Sequence, residues 1–214
     1  MEIVPAILTD REDEFVRLAR AFYAAGVRRI HLDICDGIFV PTRTIAGHDE
    51  LMRLDMADVE FDVHLMVADP ANACEPWRGT PATRMIVHVE AVGDFAALAD
   101  HAHDCHKELG AAINPETPLE KLDAVNGTAD FVQFMAVHPG MQGRAFMPGV
   151  TERIRLYHAN HPHTAVLVDG GITPETAPVC AAAGATVLVS GSYVAHSSDP
   201  GASLKELWNS ISSH

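Results

Sequence analysis

Positive charge is scarce in this chain. Lysine and arginine together number 15 against 29 aspartates and glutamates, a formal net charge of −14 over 214 residues. Such a balance repels phosphate backbones and anionic lipid surfaces and offers no basic stripe, which excludes nucleic acid and membrane surfaces as partners. The lysines are Lys107, Lys121 and Lys205, and none falls at the end of a strand-like run. Cysteine is also sparse: Cys35, Cys74, Cys105 and Cys180 show no CxxC spacing and read as reduced thiols of a cytoplasmic protein. No apolar run approaches the roughly 18 residues that a membrane span needs. The segment Met1-Glu2-Ile3-Val4-Pro5-Ala6-Ile7-Leu8 is acidic and stopped by Asp10, unlike a secretory signal. Linkers, composition shifts and a GxGxxG turn after the first strand-like run are missing too, which argues for one domain over residues 1–214 and against an open dinucleotide-binding sheet.

What the chain does contain is an alternation. Short β-branched or apolar runs occur at Ile3–Ile7, Arg29–Ile34, Val59–His64, Met85–His88, Ala111–Ile113, Phe131–Ala136, Ala165–Val168 and Thr186–Val189. Longer helical patterns separate them. Over Glu12–Ala25, Phe15, Leu18, Ala19 and Phe22 recur at helical spacing before Gly26 supplies a stop. Over Asp94–Leu109, Phe95, Leu98, Ala99 and Ala102 do the same before Gly110. His101, His103 and His106 in that segment fall across a helix rather than along one face, and read as solvated surface. Eight βα units with right-handed crossovers close most readily into an α/β fold of the (β/α)8 TIM-barrel type, although 214 residues is somewhat short of the usual roughly 250.

Chemistry gathers at the ends of these runs. His31 and Asp33 stand two residues apart, so in a strand they share a face; Asp62 and His64 repeat the spacing, and Asp169 ends a third run before Gly170-Gly171. Strands that deliver His and Asp to the carboxyl end of a parallel barrel can build a metal site of nitrogen and oxygen ligands where such barrels keep their active sites. With so acidic a chain, a sugar phosphate would be held by local backbone N–H groups. The glycines after the seventh and eighth runs, Gly170-Gly171 and Gly191-Ser192, stand where barrels commonly build a phosphate site.

The order of these motifs resembles the ribulose-phosphate 3-epimerase family over nearly the whole chain. The resemblance is carried by Pro5-Ala6-Ile7-Leu8, His31-Leu32-Asp33-Ile34-Cys35-Asp36-Gly37, Asp62-Val63-His64-Leu65-Met66, Val87-His88-Val89-Glu90, Asn114-Pro115-Glu116-Thr117-Pro118-Leu119, Met135-Ala136-Val137-His138-Pro139-Gly140, Val168-Asp169-Gly170-Gly171 and Gly191-Ser192. It implies a ribulose-phosphate-binding barrel with one divalent metal, zinc first and iron, manganese or cobalt as alternatives, on His31, Asp33, His64 and Asp169. It also implies that Asp33 and Asp169 act as the two opposed acid–base catalysts. Gly140 and Gly143 then belong to a loop that closes over the substrate, and Met66 and Met135 line the pocket beside the reacting carbons.

Several positions depart from the family pattern. Ala6 stands for a serine, Cys35 for a methionine, Thr42 and His138 for asparagines, and Gln142 for a glycine, with Arg144 adding a charge nearby. The ligand types persist while the pocket changes. The expected activity is therefore metal-dependent epimerisation at C3 of a ketose phosphate, with D-ribulose 5-phosphate and D-xylulose 5-phosphate the first pair. A six-carbon ketose phosphate such as allulose 6-phosphate is the alternative. A sugar-phosphate lyase is disfavoured by the lack of a strand-end lysine, and a non-catalytic binder by the two carboxylates. Oligomeric state stays open, a homo-oligomer included.

Overall fold

The computed structural model describes residues 1–140 and 143–212. Eight parallel strands follow one another in sequence order and close on themselves: β1 (Glu2–Ile7), β2 (Arg29–Cys35), β3 (Glu60–Met66), β4 (Ala82–His88), β5 (Glu108–Ile113), β6 (Phe131–Met135), β7 (Ala165–Asp169) and β8 (Val187–Ser190), with β8 pairing back onto β1. The structure is the eight-stranded barrel that the alternation predicts, because each strand is buried on both faces and so reads as a nearly continuous apolar run.

The two faces of each strand divide the work. Residues such as Leu32, Val63, Val87, Ala111, Val132 and Val168 point outward into one large apolar layer shared with the helices. Inward-pointing residues alternate with them. Val4, Ile86, Ala112, Phe131, Leu167 and Val187 fill the barrel interior as a separate apolar cluster, and His31, Asp33, Asp62, His64, His88, Gln133 and Asp169 are among the buried polar residues. Period-two alternation thus gives the interior its apolar filling and delivers the polar side chains of β2, β3, β4, β6 and β7 to the same space.

The helices follow the apolar spacing in the sequence. The first, Glu12–Ala24, buries Phe15, Leu18, Ala19 and Phe22 and carries Glu12, Asp13 and Glu14 in its first turn, where they complement the helix dipole. The segment expected to be helical over Asp94–Leu109 differs. Asp94 caps it by accepting the Ala97 N–H at 3.0 Å, but the helix spans only Phe95–His103. His106 then adopts φ 57°, while the N–H groups of Lys107 and His106 bond the carbonyls of Ala102 and His103, the paired bonds of a Schellman motif. Leu109 and Gly110 belong to β5 instead. His101 and His103 lie at the surface in contacts with Glu75 and Asp130, as a solvated face requires. Lys107 sits just before β5, buried, with its ammonium donating to the carbonyls of Thr80 and Ala82. Among the described residues no helix is long and apolar enough to cross a membrane.

Candidate metal centre and active site

β2 carries His31 and Asp33 inward, and the register sets Asp33 directly beside His64 on β3. Asp169 closes the group from the end of β7. One donor atom from each of these four residues can be chosen so that all lie within 4.8 Å of one another. His64 Nδ1 stands 3.0 Å from Asp33 Oδ1 and 3.4 Å from Asp169 Oδ2, and His31 Nε2 stands 3.5 and 3.9 Å from the same two oxygens. Both imidazoles are fully buried and both carboxylate side chains are 9% exposed, so the group faces inward but touches the open mouth.

The carboxylates and imidazoles of this cluster shift one another's ionisation strongly. Burial alone drives the His31 pKa down, but the carboxylates of Asp33, Asp62 and Asp169 outweigh it and raise the pKa to about 10. His64 is raised for the same reason against the same burial penalty. Asp33 is held well below the ordinary carboxylate range, the two histidines overcoming its desolvation. His31 nevertheless keeps both ring nitrogens buried without a hydrogen-bond partner. Two buried carboxylates and two imidazoles, one of them without a hydrogen-bond partner, fit a divalent cation, since burial of such groups is otherwise costly. The nitrogen–oxygen donor set is chemically suited to that role.

Above the cluster a cavity opens at the carboxyl ends of the strands. Asp33, Asp169, Met66 and Met135 line its floor with Leu8 and Val137, and Gly140, Gly143, Arg144, Gly170, Gly171, Gly191 and Ser192 line the rest with Pro139. Gly170 and Gly171 take φ of +103° and +66°, and a Cβ there would come within 2.4 Å of Val137 and 2.9 Å of Phe146. Only glycine lets the backbone pass at that point.

The remaining expected pocket residues are not among those lining this cavity. Cys35 is buried at the end of β2, its Sγ 4.0 Å from the Met66 sulfur in a small cluster with Val40. Ala6 is 1% exposed and pairs with His31 in the β1–β2 register, beside the cluster but not on the cavity wall. His138 turns outward, more than half exposed, with its ring 3.2 Å from the Glu116 carboxylate. Gln142 lies outside the described residues.

Three polar residues near the cluster have no role in the sequence reading. Gln133 on β6 donates to Asp169 Oδ2 at 3.2 Å, and His88 on β4 lies 2.9 Å from His64 and 3.2 Å from Glu90. His88 ends the apolar run Met85–His88 as His64 ends Val59–His64, so the same reading of run ends would have found it. Gln133 shows only as a polar residue at an inward position of an apolar strand.

Known proteins give this geometry a relationship. Ribulose-phosphate 3-epimerase of Chlamydia pneumoniae is 35% identical over 185 residues, covering 82% of this chain and 80% of that one. The cytoplasmic isoform of the same enzyme from Oryza sativa subsp. japonica is 30% identical over 98% of this chain and 94% of its own. Among solved structures, 3-hexulose-6-phosphate synthase from Salmonella typhimurium superposes with a TM-score of 0.72 over the full length of both chains at 15% identity, a likeness of fold alone. The sequence profile described as "Ribulose-phosphate 3 epimerase family" matches residues 2–195, and the chain, a homologue of these isomerases with a buried His/Asp cluster at its barrel mouth, belongs to that family.

Proposed function

We propose that the protein is a metal-dependent 3-epimerase of ketose phosphates, acting first on D-ribulose 5-phosphate and D-xylulose 5-phosphate. The single observation that supports this most is the convergence of Asp33 and Asp169 from β2 and β7 onto one cavity floor, together with two buried imidazoles. Inverting a carbon beside a ketone needs a proton removed from one face and returned to the other through an enediolate. Two carboxylates from separate strands supply opposed bases, and a binding protein has no need of them.

In this reading Asp33 and Asp169 each serve one face, exchanging roles between the two directions of reaction. A divalent cation held by His31, Asp33, His64 and Asp169 supplies Lewis-acid stabilisation of the negative charge developing on the substrate. Zinc suits two imidazoles and two carboxylates, and iron, manganese and cobalt are the other candidates. Gln133, donating to Asp169, holds that carboxylate in place. Met66 and Met135 give the reacting carbons an apolar, polarizable wall. Gly170, Gly171, Gly191 and Ser192 offer backbone N–H groups to the phosphate, with Gly140 and Gly143 at the opposite rim. Location in the cytoplasm accords with the rice relative and the unpaired cysteines.

The pocket positions that depart from the family pattern keep a six-carbon ketose phosphate such as allulose 6-phosphate as the second substrate. A coupled assay across five- and six-carbon ketose phosphates, run on metal-analysed protein, tests both. Turnover is expected for at least one, with Asp33→Asn and Asp169→Asn each losing it. Activity that persists in either variant would remove the two-base reading.

A further inference from the structure

His88 at the end of β4, Glu90 in the turn after it, and the turn that begins at Asn114 have no part in proton transfer. Their contacts nevertheless run straight to one of the metal-ligating rings. His64 turns Nδ1 toward Asp33 and Asp169 and Nε2 away from them, 2.9 Å from Nε2 of His88. His88 is fully buried, and its Nδ1 lies 3.2 Å from Glu90 Oε2. The other Glu90 oxygen accepts the Asn114 backbone N–H at 2.8 Å. Arg153 secures that turn from outside by donating to the Thr117 carbonyl at 2.5 Å.

A neutral imidazole has one N–H and one lone pair, and a cation takes the lone pair. If Nδ1 of His64 serves the cation, its proton is on Nε2, and His88 Nε2 must accept it. His88 then carries its own proton on Nδ1 and needs an acceptor there. Glu90 is that acceptor, and its second oxygen is already committed to Asn114. We propose that Glu90 and His88 are positioning residues that fix His64 in the Nε2-protonated tautomer and so keep Nδ1 bare for a divalent cation. The inference rests on the metal-site reading above.

Glu90→Gln is the discriminating change, because it preserves size and removes one acceptor. Two donors, His88 Nδ1–H and Asn114 N–H, would then compete for one oxygen. With that oxygen kept by Asn114, the amide N–H faces His88 and reverses the relay, which places a proton on His64 Nδ1. Zinc affinity, measured by competition with a chromophoric chelator, is expected to fall by about 10- to 100-fold, the usual range for losing such an outer partner. The melting temperature of the metal-free protein should stay unchanged. A second measurement needs no variant: 15N spectra of the histidine rings in the zinc-loaded protein should place protons on His64 Nε2 and His88 Nδ1. Wild-type zinc affinity in Glu90→Gln, or a proton on His88 Nε2, would overturn the proposal. Neither readout depends on turnover, so absence of epimerase activity in the wild-type protein would refute the functional reading and leave this one standing.

Discussion

Asp36 shows at the scale of one residue how a carboxylate can serve the mouth without touching substrate. Its Oδ1 accepts the N–H groups of Ile38 and Phe39 at 2.8 and 2.9 Å, and its Oδ2 accepts that of Ala68 at 2.8 Å, tying the loop after β2 to the loop after β3. Desolvation pushes its pKa up, but these three donors outweigh it and bring the pKa below the ordinary value. A pKa lowered on folding contributes stability that is full above the unfolded value, 3.8, and is lost as pH falls through the folded value. Asp36→Asn should therefore cost about 1–2 kcal/mol near neutral pH, since an amide keeps one acceptor and turns an N–H toward the other donor. Urea unfolding at pH steps from 7 to 2 should show the difference shrinking below about pH 3.8. A constant difference across that range would mean that charge is not what stabilises the turn. Single residues were unevenly legible in the sequence. His31, Asp33, His64 and Asp169 show by strand position, and the structure gathers them. Resemblance alone singles out Cys35 and His138; Cys35, the last residue of β2, packs against Met66, and His138, in the loop after β6, faces Glu116.

At the scale of elements, Gly110 is the instructive position. It follows a helical pattern, and a sequence reading takes it as the stop. In the barrel it lies inside β5, paired in register with Phe131 of β6. A Cβ at Gly110 would stand 2.2 Å from the Phe131 ring, so the glycine makes room for an interior aromatic. Gly110→Ala is expected to destabilise by about 1–3 kcal/mol through overpacking, read as a lower urea midpoint with an unchanged slope. Phe131→Leu added to it should recover part of the loss. A neutral Gly110→Ala would show that the ring yields freely. The strand starts that sequence reading places late have a related cause. β4 and β5 begin three residues before the expected Met85 and Ala111, and those first turns include Arg84 and Glu108, which pair with each other at the barrel rim. Charged residues at a strand's beginning look like loop when only the apolar run is counted.

The whole molecule was the most legible level, because closure follows from repetition: eight runs of similar length with helical patterns between them leave few other ways to bury both faces of every strand. Fold alone does not select the chemistry, as the synthase neighbour shows by sharing the barrel at 15% identity. On the proposed function, the mouth of this barrel moves a proton across a ketose phosphate with Asp33 and Asp169. The most direct measurement incubates zinc-loaded protein with ribulose 5-phosphate, and separately with allulose 6-phosphate, in deuterium oxide and follows C3 by NMR. The C3 epimer of at least one substrate should appear with solvent deuterium at the inverted carbon. An epimer that retains its original hydrogen, or neither epimer nor exchange with both substrates, would contradict it.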